Sequence, residues 1–153
     1  MKQNSTVKEQ SLNPQPSARA TSQAHDESLD ERVLAALNAA GEKKAIEPVV
    51  LDLREIASFT DYFLIVSGAN ERQVQAISDE INETLKKSGH AAARVEGYKT
   101  AEWILLDYGD FVVHVFEQKA RKFYDLERLW RESKRVELPP EFRADGSSLR
   151  RES

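Results

Sequence analysis

The sequence predicts an α/β fold in which a mixed five-stranded sheet carries its helices mainly on one face. Three observations predict it. Trp103 to Phe116, WILLDYGDFVVHVF, reads as a β-hairpin. Two runs rich in Ile, Leu, Val and Phe flank Tyr108-Gly109, and glycine tolerates the positive φ of a tight turn. Val74, Ile77, Ile81 and Leu85 recur at spacings that place them on one helical face. The elements follow as α-β-β-α-β-β-β-α, with strands too few and too interrupted for a doubly wound sheet.

Taken in order, residues 1–27 hold Gln, Asn, Ser, Pro and Ala with no sustained apolar period, which predicts a mobile tail. Ser28 to Asp30 can cap a first helix with Leu29, Val33, Leu34, Leu37 and Ala40 on its apolar side and Gly41 closing it. Pro48 leads into a strand over Val49–Leu53, and a connector enters a second strand over Tyr62–Val66. Asn70 offers an N-cap oxygen to the helix that follows, and Gln73 can reach back to the cap's N–H; Gly89 ends that helix. A short strand around Ala92–Val95 precedes the hairpin. A last helix over about 120–133 places Phe123, Leu126, Leu129 and Trp130 inward. Pro139-Pro140 stops regular structure, so the domain is predicted to span 28–138, with a second disordered tail over 139–153.

A two-residue Tyr108-Gly109 loop pairs Asp107 with Asp110, Leu105 with Val112 and Trp103 with His114. One face of the hairpin is then wholly apolar: Ile104, Leu106, Phe111, Val113 and Val115. The other mixes Trp103, Leu105, Asp107, Asp110, Val112, His114 and Phe116. With helices on the first face, the mixed face is left open and is the expected contact surface.

Composition narrows the classes. The 153 residues suit one domain with a real core. No apolar run approaches the roughly 20 residues of a membrane span, and the first residues lack the apolar segment of a secretory signal. The absence of cysteine removes disulfides, thiolate zinc sites and thiol nucleophiles, and a cytoplasmic protein is expected. Net charge is −4, yet residues 119–135 carry seven Lys/Arg against three Asp/Glu, which leaves the remainder at −8. An acidic body suits a basic protein partner, whereas a protein that coats nucleic acid is usually basic overall. By default the basic run (Lys119, Arg121, Lys122, Arg128, Arg131, Lys134, Arg135) is a solvated face, and functionally it could meet RNA phosphate.

Catalytic constellations are sparse. Ser67-Gly68-Ala69-Asn70 lies where a phosphate loop would, but it has one glycine and no Lys-Ser/Thr pair. Asp107 and Asp110 flank a turn, where carboxylates are more often solvated or bonded to turn amides than bound to a metal. His114 has no partner histidine at ligand spacing, and no Ser has an evident base. No cofactor, metal or catalytic residue is therefore expected.

Three blocks carry a resemblance: TDYFLIVSGANERQVQAISDEI (Thr60–Ile81), EGYKTAEWILLDYGDFVVHVF (Glu96–Phe116) and RKFYDLERLW (Arg121–Trp130). In this order and spacing they resemble the ribosomal silencing factor family, also called Iojap-like, from about Ser28 to Pro139. Departures are small: Ala69 stands where the family commonly has Ser or Thr, and Ala101 where it often has Gly. The resemblance implies a nucleotidyltransferase-like fold without the catalytic carboxylate motif. It also implies binding to the large ribosomal subunit through its L-series protein numbered fourteen, with steric block of subunit joining, and homodimers off the ribosome. The expected partner-binding residues are Tyr98, Lys99, Trp103, Leu105, Asp107, Asp110 and His114, with peripheral rRNA contact through the basic last helix. The competing expectation is a nucleotide-handling enzyme using Asp107, Asp110 and His114 on the same scaffold.

Overall fold

A computed structural model describes residues 29–142. The order is α1 (Glu31–Glu42), β1 (Ile46–Asp52), β2 (Tyr62–Gly68), α2 (Glu71–Lys87), β3 (Arg94–Glu96), β4 (Trp103–Asp107), β5 (Phe111–Glu117), α3 (Gln118–Tyr124), α4 (Leu126–Leu129) and β6 (Lys134–Arg135). A 3-10 turn over Pro140–Phe142 follows, beyond the predicted stop at the proline pair. The predicted tail at 1–27, the Ser28 cap and the part of the predicted 139–153 tail from 143 onward lie outside the described residues.

The sheet is mixed, as expected, with six strands where the sequence predicts five; the sixth is the two-residue β6, too short to leave a pattern. Spatial order is β3-β4-β5-β2-β1-β6. Only β2 and β5 run parallel among these pairings, from Tyr62↔Phe111 to Gly68↔Glu117. Every residue of β2 is buried, which is why YFLIVSG reads as a continuous apolar run.

The two long helices cover one face. On α1 the buried side chains are Val33, Ala36, Leu37, Ala39 and Ala40, while Leu34 is only half-buried. Gly41 does not close this helix. It runs on to Glu42, and the chain leaves it through Lys44, which takes φ 63° while Ala45 N–H donates to Ala40 O at 3.1 Å. On α2 the predicted stripe is buried in full, with Val74, Ile77 and Ile81 at 0% exposure. Burying each such side chain contributes about 1.5–3 kcal/mol. Asn70 Oδ1 accepts from Gln73 N–H at 2.9 Å as the cap pattern predicts. Gln73 Oε1 reaches one residue further than expected, to Ala69 N–H at 2.7 Å. Its amide donates to Lys43 O and Lys44 O, so one side chain joins the end of α1 to the start of α2.

The hairpin turns one residue later than predicted. Tyr108 N–H donates to Phe111 O at 2.9 Å, so the loop is Gly109-Asp110, and Gly109 takes φ 88°. Trp103 pairs with Phe116, Leu105 with His114 and Asp107 with Val112. The shift is two in register, so both faces keep their members and only Asp110 leaves the strand.

The mixed face is not open. The predicted last helix breaks at Asp125, a non-glycine residue in the left-handed region at φ 47° and ψ 53°. The break folds α3 and α4 over the sheet, and Ala120 and Leu126 join Leu51, Phe63, Ile65, Val112 and Phe116 in a second core. Trp103, Leu105 and Trp130 pack against it, half-buried.

Candidate partner-docking surface

Rings run across the α3/α4 side of the sheet. Phe59 meets Trp130 (ring centroids 5.9 Å apart) and Phe63 (6.2 Å). Phe63 stands edge-on to His114 at 4.4 Å. Trp103 lies 5.9 Å from His114 and 4.9 Å from both Phe116 and Tyr124, and Tyr124 meets Phe123 at 5.0 Å. The centre of this chain is buried and its ends are not. Phe123 is 80% exposed, Leu129 71% and Phe59 59%. Large apolar side chains at such exposure make this the candidate docking surface.

The position of Phe123 and Leu129 corrects the sequence reading, which turned both inward. An unbroken helix over 120–133 would do that; the Asp125 break changes the phase, so Ala120, Arg121 and Leu126 face the sheet instead. Arg121 likewise leaves the solvated basic face and is buried. Lys122, Arg128 and Arg131 remain outside and line a groove of about 440 Å³ with Phe123, Tyr124 and Leu129. Exposed rings and Leu129 interleaved with three cations and Asp125 suit a partner that offers both apolar side chains and negative charge.

The seven expected residues fall into three groups. Trp103 and Leu105 are half-buried on this side of the sheet. Trp103 Nε1–H donates to His114 Nδ1 at 3.1 Å, which places the imidazole proton on Nε2. His114 is 3% exposed, and burial pushes its pKa down to about 3, so it is neutral near pH 7.

Tyr98 and Lys99 are exposed in the loop before β4. The Tyr98 hydroxyl donates to the Asp79 carboxylate on α2 at 3.1 Å, and that bond raises the phenol pKa. Gly97 shapes the same loop at φ 82°: a Cβ there would collide with the Trp103 carbonyl oxygen, so only glycine lets the loop cross β4. Ala101 also takes positive φ, at 56°. That suits the glycine often found there in the family the sequence resembles.

The two carboxylates diverge. Asp107 accepts from Gly109 N–H at 2.9 Å and pairs with Arg94 at 3.5 Å. Asp110 pairs with Arg32 of α1 at 2.9 Å, on the side of the long helices. Sequence reading missed Phe59, Tyr124 and the outward Phe123 and Leu129. The readable signal was the Asp in FYDLER, a residue type that tolerates the left-handed region and interrupts helices.

Comparison with known proteins agrees with the resemblance. A family model described as "Ribosomal silencing factor during starvation" matches residues 25–152. The chain is 45% identical over 103 residues to the ribosomal silencing factor RsfS of Halalkalibacterium halodurans, covering 67% of this chain and 88% of that one. It is 40% identical over 100 residues to RsfS of Bacillus subtilis, covering 65% and 85%. A crystal structure from Bacillus halodurans aligns with TM-score 0.64 and 44% identity, over 71% of this chain and 98% of that one.

Proposed function

Because the chain belongs to the ribosomal silencing factor family, we propose that it represses translation by occupying the large ribosomal subunit. The partner is the large subunit's L-series protein numbered fourteen, on the face that meets the small subunit. A folded body seated there obstructs joining by its volume alone. No substrate is turned over.

The observation that best supports this reading is the exposed apolar surface of Phe123, Leu129 and Tyr124 beside half-buried Trp103. Interface energy concentrates in such aromatic and aliphatic anchors. Leu105 extends the apolar area and Asp107 provides a polar contact beside it, while Tyr98, Lys99 and Asp110 offer a second set of polar contacts toward the long helices. His114, being buried, acts by holding the Trp103 indole. Lys122, Arg128 and Arg131 reach toward rRNA phosphates at the rim. Off the ribosome, in the cytoplasm, the same apolar surface pairs with a second copy. Nothing in the geometry favours the enzyme reading: Asp110 is held by Arg32 on the helix side, apart from buried His114.

Light scattering on purified subunits tests the proposal. The full chain, added to large subunits before small ones, is expected to reduce joined ribosomes in proportion to its occupancy. Undiminished joining at saturating protein contradicts it.

A further inference from the structure

A cavity of about 510 Å³ opens beside Ser67 and Gln118, at the end of the sheet where the parallel strands β2 and β5 finish. That volume is in the range of small-molecule sites, and the carboxyl ends of parallel strands are where α/β sheets commonly bind ligands. Lys122 and Asp125 border both this cavity and the groove under Phe123.

The cavity has a buried polar group in its wall. Arg121 is 8% exposed; its Nη1 donates to Ser67 Oγ at 2.9 Å. Its Nε and Nη2 donate to the two carboxylate oxygens of Glu127 at 3.1 and 3.2 Å. Arg135 shares Glu127 at 3.4 Å, so one carboxylate serves two guanidiniums and the trio keeps one net positive charge. A guanidinium carries five N–H donors, and these bonds use three of them. One N–H on each of Nη1 and Nη2 therefore has no partner among the described residues, on a guanidinium that lines the cavity. Pro48, Val136 and Leu138 add an aliphatic wall. Glu47, at φ 49° immediately before Pro48, holds a bulge in β1 at the mouth. Bulges and left-handed non-glycine residues gather where a fold presents a site.

We propose that this cavity binds a small monocarboxylate with an aliphatic body. The carboxylate sits on the Arg121 donors, and the hydrocarbon lies against Pro48, Val136 and Leu138. The trio's local positive charge matches one carboxylate, whose planar pair of oxygens fits the guanidinium fork. Elsewhere in the walls Lys122 stands against Glu47 and Asp125, so the lining as a whole is neutral and disfavours a polyphosphate. A free amino acid and a simple carboxylic acid share this chemistry.

Amide NMR of the full ¹⁵N-labelled chain, titrated separately with L-leucine, 4-methylpentanoate and sodium phosphate, tests the proposal. At least one of the two carboxylates is expected to shift the Ser67, Arg121 and Val136 amides saturably, with Kd about 1 mM or tighter. Binding of leucine alone assigns the amino acid, and binding of 4-methylpentanoate alone the simple acid. Val136→Arg, which fills the aliphatic side, should weaken the shifts at least about tenfold. Ligand-methyl NOEs to Val136 and Leu138 in the unmodified chain report the same contact should that variant not fold. No saturable shift by about 10 mM overturns the proposal, as does phosphate moving the same amides as strongly as either carboxylate.

Discussion

His114 occupies the centre of the sheet's second face with its Nδ1 taken by Trp103 and its Nε2 without a hydrogen-bond partner among the described residues. A buried imidazole in that state cannot accept a proton without charging in an apolar core, and this fixes the sign of its linkage. The folded pKa of about 3 lies below the ordinary value near 6.5. The unfolded chain therefore binds the proton first as pH falls. Stability from this group is complete above about pH 6.5 and declines below it at about 1.4 kcal/mol per pH unit. Urea denaturation should show a loss of about 2 kcal/mol between pH 6.5 and 5, before most carboxylates titrate. His114→Gln should be less stable at pH 7 but nearly flat over that interval. An equally steep slope in both proteins would place the titrating group elsewhere.

Among the elements, those with a strong local period were legible in the sequence: the α2 stripe and its Asn70 cap, the continuous apolar run of β2, and the alternation of β4. Each is written in side chains a few residues apart. The inaccurate readings depended on single backbone conformations. The chain leaves α1 through Lys44 in place of Gly41, the hairpin turns at Gly109-Asp110, and Asp125 splits the last helix. A left-handed residue that is not glycine leaves little trace in composition, since surrounding structure enforces it. The register of two was harmless because side chains alternate with period two; the broken helix was not, since it moved Phe123 and Leu129 to the surface. Gly97 shows the same dependence on one residue. Gly97→Ala meets both a φ of 82° and the Trp103 carbonyl. It should cost at least about 2 kcal/mol in thermal or chemical denaturation. A change under about 0.5 kcal/mol would show that the loop can lift away from β4.

For the described body from Glu31 to Phe142, the proposed function rests on an asymmetry between two sheet faces. One is sealed by α1 and α2 over a continuous apolar layer. The other is closed only over its middle, by two short helices that leave Phe123, Leu129 and Phe59 outside. The sequence pointed to that face as an open contact surface through the composition of β4 and β5; the structure covers its middle with α3 and α4. The sequence did not show that the exposed anchors come from α3 and α4, because residues 120–133 look like one amphipathic helix when read without the break. The charge distribution agrees with this division, with Lys122, Arg128 and Arg131 beside the apolar anchors. Co-sedimentation of the full chain with isolated large subunits tests the docking surface most directly. Phe123→Ala/Leu129→Ala removes two side chains that support little of the core, so folding should persist while binding falls about 30-fold or more. Glu83→Ala, on the outer side of α2, should bind as the unmodified chain does. Retention of full affinity by a folded Phe123→Ala/Leu129→Ala protein would contradict the assignment of this face.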